Sequence, residues 1–457
     1  MDYEGVNRMI RSANALRALT LIGASAVLLT ACSSSSGTTS DSTSTSKAVA
    51  SATPTAHVDA AKNCAPTKST SALKIGTMLP QTGSLAYLAP PAEAGSGLAI
   101  KDVNAAGGVL GKPMTVAKVT DSGDSSDMTV SSASASQIVS SKVSMVLAPE
   151  SSSVTENVVD QLSGACIVSI SGANTDSALS GYSSYYFRTA PPDSVQGSAL
   201  GQLITGDGNS KVSFLVFNDS YGTGLRNFTQ KAIESAGGSV VYGAEGKSQE
   251  FAPGSTSFSS DVSAAIGADP DAIVILAFDE TKSIVPELVS QGWDMSKVYM
   301  SDGNTADYSK TFDKGTLTDA QGTIPGAAAK TSFKKRLVAY YKSTSHKTLD
   351  DFSYAPENYD AITLTALAAQ AGGGTDAGTI QANLAAVSGA NGGTKCSSYA
   401  DCLKLLKANK TIHYTGQAGI GPFNSDNDPS SAYIGIYKFN KNNVPEFQTA
   451  VQGNVSQ

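Results

Sequence analysis

The chain has 457 residues, with 32 Lys and Arg against 39 Asp and Glu for a formal net charge of −7. No dense basic patch occurs, which argues against nucleic-acid binding. The three histidines, His57, His346 and His413, stand far apart without zinc-ligand spacing. With no G-x-S-x-G elbow, Walker A or G-x-G-x-x-G, nothing supports a catalytic residue, a cofactor or a metal, and an enzyme is not expected.

Residues 1–31 read as a leader. Arg11 and Arg17 give it a positive start, and residues 18–31 carry no charge. The run is too short to span a hydrocarbon core of ~30 Å, which takes about 20 helical residues, so it reads as a secretory signal. It closes on Leu29-Thr30-Ala31-Cys32, which resembles the lipobox of bacterial lipoproteins. That resemblance implies that the Cys32 thiol receives diacylglycerol and heads the mature protein. The alternative is an ordinary signal peptide with a coincidental Cys. Asp2 and Glu4 suit an n-region poorly, which makes Met9 a rival start to Met1. Residues 33–46 are almost entirely Ser and Thr, and residues 32–72 as a whole form a linker with too little apolar surface to fold. The expected location is extracytoplasmic, tethered to the bacterial cell membrane by lipid alone.

The body, from residue 73 onward, is long enough for two domains or lobes. Strand-like runs at 73–78, 114–119, 143–147 and 167–170 alternate with helical periodicity at 92–104, 128–139 and 154–162. The pattern then repeats. Strands are expected at 212–217, 239–242, 272–277 and 297–300, and helices at 225–236, 258–266 and 283–291. Helices at 333–341 and 361–371 and a β-rich tail at 433–439 complete one lobe or the other. Such alternation implies an α/β fold of two Rossmann-like lobes with parallel sheets and right-handed crossovers.

With Cys32 assigned to lipid, Cys64, Cys166, Cys396 and Cys402 remain, an even number for an oxidising compartment. Three pairings are open, as are reduced, buried thiols. Cys396–Cys402 would close a small loop, and Cys64–Cys166 would pin the N-terminal segment to the start of a strand.

Ligands of open parallel sheets bind beyond the carboxyl ends of the strands. There the first half offers Pro149-Glu150-Ser151-Ser152-Ser153 and Ser171-Gly172-Ala173-Asn174-Thr175. Ser153 and Glu156 have the spacing of a capping box. The free N–H groups and hydroxyls at that helix start suit a carboxylate. The second half offers Asn218-Asp219-Ser220-Tyr221-Gly222, then Phe278-Asp279, then Ser301-Asp302-Gly303. Hydroxyls and amides facing an aromatic pair and an acid suit a zwitterion. The plainer reading has these residues only capping helices and starting turns.

The order Leu73-Lys74-Ile75-Gly76, Pro80-Gln81-Thr82-Gly83 and Asp102-Val103-Asn104-Ala105-Ala106-Gly107-Gly108-Val109-Leu110-Gly111-Lys112-Pro113 resembles the branched-chain amino acid group of type I periplasmic binding proteins. Asp121, Tyr185-Tyr186-Phe187-Arg188-Thr189, Asn218-Asp219-Ser220-Tyr221-Gly222-Thr223-Gly224-Leu225 and Asn358-Tyr359-Asp360-Ala361 extend the likeness over nearly all of the body. The resemblance implies a three-segment hinge and a monomer that delivers a trapped amino acid or related small molecule to the permease subunits of an ABC importer. It implies lobe 1 from 73–190 and 326–425, and lobe 2 from 191–325 and 426–457. It also implies that Ser151, Ala173 and Thr175, with Ser152 and Asn174 in the same loops, hold the ligand's backbone groups. Tyr221 would cover the ligand, and Asp302 would receive its ammonium. Leu88 and Phe278 stand where leucine–isoleucine–valine-binding proteins tend to have Tyr, and Asp302 is shorter than their usual Glu, which leaves the side-chain preference open. A ligand-sensing lipoprotein that signals through a partner would need the same cleft.

Overall fold

Two sets of short apolar strands, most of them followed by a helix, fold into two main sheets, each with five parallel strands, in this computed structural model, which describes residues 57–62 and 64–455. Cys32 and the leader lie outside the described residues. The first sheet contains β1 (Lys74–Leu79), β2 (Thr115–Asp121), β3 (Met145–Leu147), β4 (Val168–Ser171) and β5 (Tyr186–Arg188) in the order β2-β1-β3-β4-β5. Its helices are α1 (Ala89–Ala105), α2 (Met128–Ser140) and α3 (Ser152–Gly164). Entering the second lobe is α4 (Asp193–Gly206), followed by β6 (Lys211–Val216), α5 (Ser220–Ser235), β7 (Ser239–Tyr242), α6 (Ser259–Gly267), β8 (Ala272–Leu276), α7 (Thr281–Ser290), β9 (Val298–Met300) and β10 (Gln321–Pro325).

The parallel strands of that lobe repeat the same winding, β7-β6-β8-β9-β10. The chain then returns to the first lobe with α8 (Thr331–Ser345), α9 (Ala355–Gly372), α10 (Ala377–Ser388), β11 (Thr394–Cys396), α11 (Tyr399–Lys407) and β12 (Ile412–Tyr414). Leu337, Ile362, Leu367, Ile380 and Leu384 of these helices share one buried core with Ile75, Leu147 and Ile170. Finally β13 (Ser431–Phe439) pairs antiparallel with β10, and β14 (Pro445–Asn454) pairs with β13 at the sheet edge. Three segments, 189–192, 326–330 and 415–430, thus pass between the lobes.

Burial follows the sheet position. Central β8, Ala-Ile-Val-Ile-Leu, is wholly buried, as a strand covered by helices on both faces must be. Edge strand β2 leaves Val116 and Val119 exposed. Helix starts are fixed by side-chain caps: Asp127 accepts from Thr129 N, Asp219 from Tyr221 N, Asp376 from Thr379 N and Ser398 from Asp401 N. Each such cap contributes about 1 kcal/mol.

Several elements differ from the sequence reading. Helices α4, α10 and α11 and strands β5, β10, β11, β12 and β14 were not expected. In α4 the sequence Asp-Ser-Val-Gln-Gly-Ser-Ala-Leu-Gly-Gln spreads its apolar residues too evenly to show a face, because two glycines serve packing. A Cβ on Gly197 would stand 2.6 Å from Phe228 Cβ, and one on Gly201 2.5 Å from Ala232 Cβ, so α4 lies directly on α5. The capping-box spacing of Ser153 and Glu156 is not used. The helix starts two residues earlier, at Ser152, and extended Ser151 accepts from Val154 N.

Both disulfides form as the pairs Cys64–Cys166 and Cys396–Cys402, with Cα atoms 5.4 and 5.3 Å apart. From His57 onward the segment ahead of β1 is held against the first lobe. Asp59 accepts from Ser184 N and Ser183 Oγ, and Asp376 from Thr67 N and Ser69 N. Despite some burial, these hydrogen bonds hold both carboxyls down to about 2.

Candidate functional site

In a sheet wound 2-1-3-4-5, the chain turns opposite ways on either side of the first strand, which opens a crevice at the strand ends. Each lobe has such a switch point, between β1 and β3 and between β6 and β8, and the two crevices face each other. The cleft between them is lined by Leu85 and Leu88 after β1, Glu150, Ser151 and Ser152 after β3, and Ala173 after β4. From the other lobe come Tyr221 after β6, Phe278 after β8, and Asp302 and Gly303 after β9. Tyr354, at the start of α9, closes the wall.

The first lobe's loops are stitched to one another. Ser152 Oγ accepts from Thr175 N at 3.3 Å and Asp176 N at 3.2 Å. Asn174 Nδ2 donates to the Pro149 and Glu150 carbonyls, both at 3.0 Å, and Asn174 Oδ1 accepts from Tyr186 OH. Asn174 and Thr175 therefore lie behind the cleft wall, fully buried, and position the Ser151 loop from behind.

The second lobe centres on Asp302. Its Oδ1 accepts from Tyr221 OH at 2.7 Å and Gln196 Nε2 at 2.8 Å, and its Oδ2 from Tyr354 OH at 2.5 Å. Burial pushes the Asp302 carboxyl up, and the hydrogen bonds from Tyr354, Tyr221 and Gln196 oppose that rise. Phe278 stacks on Tyr221 with ring centroids 5.4 Å apart and packs on Phe217 at 4.7 Å. That aromatic layer fixes the phenol pointing at Asp302.

Contacts across the cleft join the lobes. Ser153 Oγ donates to Asp219 Oδ2 at 2.6 Å. Tyr87 OH donates to the Asp302 and Gly303 carbonyls at 3.2 and 3.1 Å. Tyr354 sits at φ +58°, a left-handed conformation that costs a bulky residue about 1–3 kcal/mol and clusters at ligand clamps. Its phenol reaches Asp302 from that position.

Of the residues singled out in the sequence, Leu88, Ser151, Ser152, Ala173, Tyr221, Phe278 and Asp302 meet in this one cleft. Tyr87, Glu150, Gln196 and Tyr354 were missed. Tyr87 adjoins Leu88, and Glu150 adjoins Ser151, so their loops were legible but their roles were not. Gln196 lies in the unrecognised α4, and Tyr354 is brought in by the returning chain. Glu150 is 3% exposed, and burial raises its carboxyl to about 8, against a hydrogen bond from Asn358. Its Oε1 accepts from Asn358 Nδ2 at 3.1 Å, while its Oε2 has no hydrogen-bond partner among the described residues. A larger cavity of about 450 Å³ shares Tyr354 with the cleft, but no residue of the β3 or β4 loops lines it.

Residues 72–401, more than half of the chain, match a family described as periplasmic binding protein. No curated protein matches the chain. Among solved structures, a leucine-binding protein of Thermotoga maritima superposes with a TM-score of 0.68 at 18% identity, over 83% of this chain and 98% of its own. A branched-chain amino acid transporter substrate-binding protein from Streptococcus pneumoniae, in complex with isoleucine, gives 0.65 at 23% identity over 84% and 100%. An ABC-transporter solute-binding protein of Rhodopseudomonas palustris, in complex with p-hydroxybenzoic acid, gives 0.67 at 15% identity over 84% and 98%. With two doubly wound lobes, a facing pair of switch points and this match, the chain belongs to the type I periplasmic binding proteins.

Proposed function

We propose that the protein is a lipid-anchored extracytoplasmic binding protein that captures an amino acid between its lobes and delivers it to an ABC importer. One observation carries the amino-acid reading. A buried acid, Asp302, shares a cleft with a serine-rich helix start, Ser151 and Ser152, on the opposite lobe. The helix start suits a carboxylate and the acid an ammonium. Ligand held first by one lobe favours the closed state through contacts with the other, which shifts the population. The Streptococcus relative, solved with isoleucine, supports an amino acid. The Rhodopseudomonas relative, solved with an aromatic acid, makes such acids the natural competitor. Lipid attachment at Cys32 rests on the sequence and would hold the body near the permease. The experiment is a thermal-shift screen of amino acids, amides and aromatic carboxylates, since a ligand at 100 times its Kd stabilises by about 2.7 kcal/mol. Stabilisation by amino acids that is lost in Asp302→Ala supports the reading. Stabilisation by p-hydroxybenzoate and by no amino acid overturns it.

A further inference from the structure

The cleft holds a second carboxyl that amino-acid backbone recognition leaves unused. Glu150 lies in the cleft wall together with Asp302, Ser151 and Tyr221. It is more than nine-tenths buried, and only one of its two oxygens is engaged. A buried polar atom without a partner is costly, which makes Oε2 the cleft's candidate contact for a further ligand group. Once Glu150 is ionised, its Oε2 and the Oδ1 of its partner Asn358, neither of which has a hydrogen-bond partner among the described residues, are both acceptors. Among the described residues no Lys, Arg or His lines the cleft. The buried guanidiniums of Arg188 and Arg226 are already committed, to Asp428 and Glu250. Once Glu150 gives up its proton, a site with two carboxylates and no lining cation is electrostatically complementary to a ligand with excess positive charge.

We infer that Glu150 recognises a second nitrogen of the ligand, so that the natural substrate is a small basic amino acid with a side-chain ammonium. This rests on the amino-acid reading above and specifies its side chain. Asp302 takes the α-ammonium, the Ser151 loop takes the carboxylate, and Glu150 takes the ω-ammonium. The titratable groups around Glu150 are Asp302, Tyr221 and Tyr354 in the cleft wall and Glu357 on α9. Burial raises Glu150 to about 8, so ammonium binding near neutral pH expels its proton.

Calorimetric titration of the full chain with isosteric pairs tests this. L-Ornithine is compared with L-norleucine, and L-diaminobutyrate with L-norvaline, in two buffers of different ionisation enthalpy at pH 7. The ω-amino member of a pair should bind roughly 10- to 100-fold more tightly than its alkyl isostere. It should also release close to one proton more than that isostere does. E150Q, which keeps the side-chain size, should remove both the preference and the extra proton release. Equal or tighter binding of the alkyl members, or a preference that survives in E150Q, would overturn the assignment of Glu150 and leave the amino-acid reading standing. Binding of none of the four would overturn both.

Discussion

Replacing Asp302 by Ala removes the acceptor on which three donors converge, and the cost divides between folding and binding. Two of those donors have alternatives at hand. Tyr221 OH already lies 2.8 Å from Ser301 Oγ, and Gln196 Nε2 lies 3.1 Å from Thr323 Oγ1. Tyr354 OH has Asp302 as its sole partner among the described residues. One stranded buried hydroxyl costs about 1–3 kcal/mol, so the fold should survive with a midpoint lowered by a few degrees. Binding should suffer more. In the closed cleft the ligand's ammonium would lose its buried counter-charge, a truncation that costs about 2–5 kcal/mol, or roughly 30- to several-thousand-fold in Kd. Asp302→Asn keeps one acceptor and should restore most of the midpoint but little of the affinity. The assay pairs calorimetric titration of the amino acid that gives the largest thermal shift with circular-dichroism melts of all three proteins. Asp302→Ala affinity within about threefold of the parent would refute the reasoning.

Three other outcomes are expected, two from the structure and one from the sequence. The Cys64–Cys166 bridge spans 102 residues of sequence and Cys396–Cys402 spans 6, so loop-closure entropy makes loss of the former more destabilising by about 2.5 kcal/mol; chemical denaturation of the paired Cys→Ala variants checks the order. Stability should peak in mildly acid solution. Burial raises Glu150 to about 8 and Asp360 to about 6, so the native state holds protons that the unfolded chain loses, and stability should fall as pH rises from about 5 to 8. Asp59 and Asp376, held near 2, contribute stability that is lost as pH drops from about 4 to 2. A melting midpoint that climbs steadily to pH 8 would contradict the first trend, and hydrogen exchange over residues 64–70 reports the second. Finally, Cys32→Ser should abolish incorporation of radiolabelled lipid and shift the protein out of the detergent phase; equal partitioning of the two forms would exclude the anchor.

Much of the cleft was legible because parallel strands are read twice, once as apolar runs and once as the polar loops that must follow them. Val143 to Leu147 and Lys297 to Met300 announce buried strands, and the loops after them stand at the crevice, which makes the positions of Ser151 and Asp302 legible in the sequence. Two kinds of information stayed hidden. Helix α4 was invisible because Gly197 and Gly201 serve close packing on α5 and blur the amphipathic stripe. With it went Gln196, the amide that helps hold Asp302. Tyr354 was hidden for a different reason: it is more than fifty residues from Asp302 in sequence and reaches it only because the chain recrosses to the first lobe. Glu150 stood in plain view between Pro149 and Ser151, but burial and an unpaired oxygen are properties of three dimensions. The capping-box spacing at Ser153 misled because that hydroxyl is used across the cleft, on Asp219, and not on its own helix.

The central claim is that ligand is gripped by both lobes at once, and amide hydrogen exchange reads this most directly. With the amino acid that gives the largest thermal shift at saturation, amides at the Ser151–Val154 helix start in lobe 1 and at Asp302–Gly303 in lobe 2 should gain protection together, with the same concentration dependence. Protection confined to one lobe, or appearing only around the larger cavity near Asp351 and Glu357, would contradict capture between the lobes.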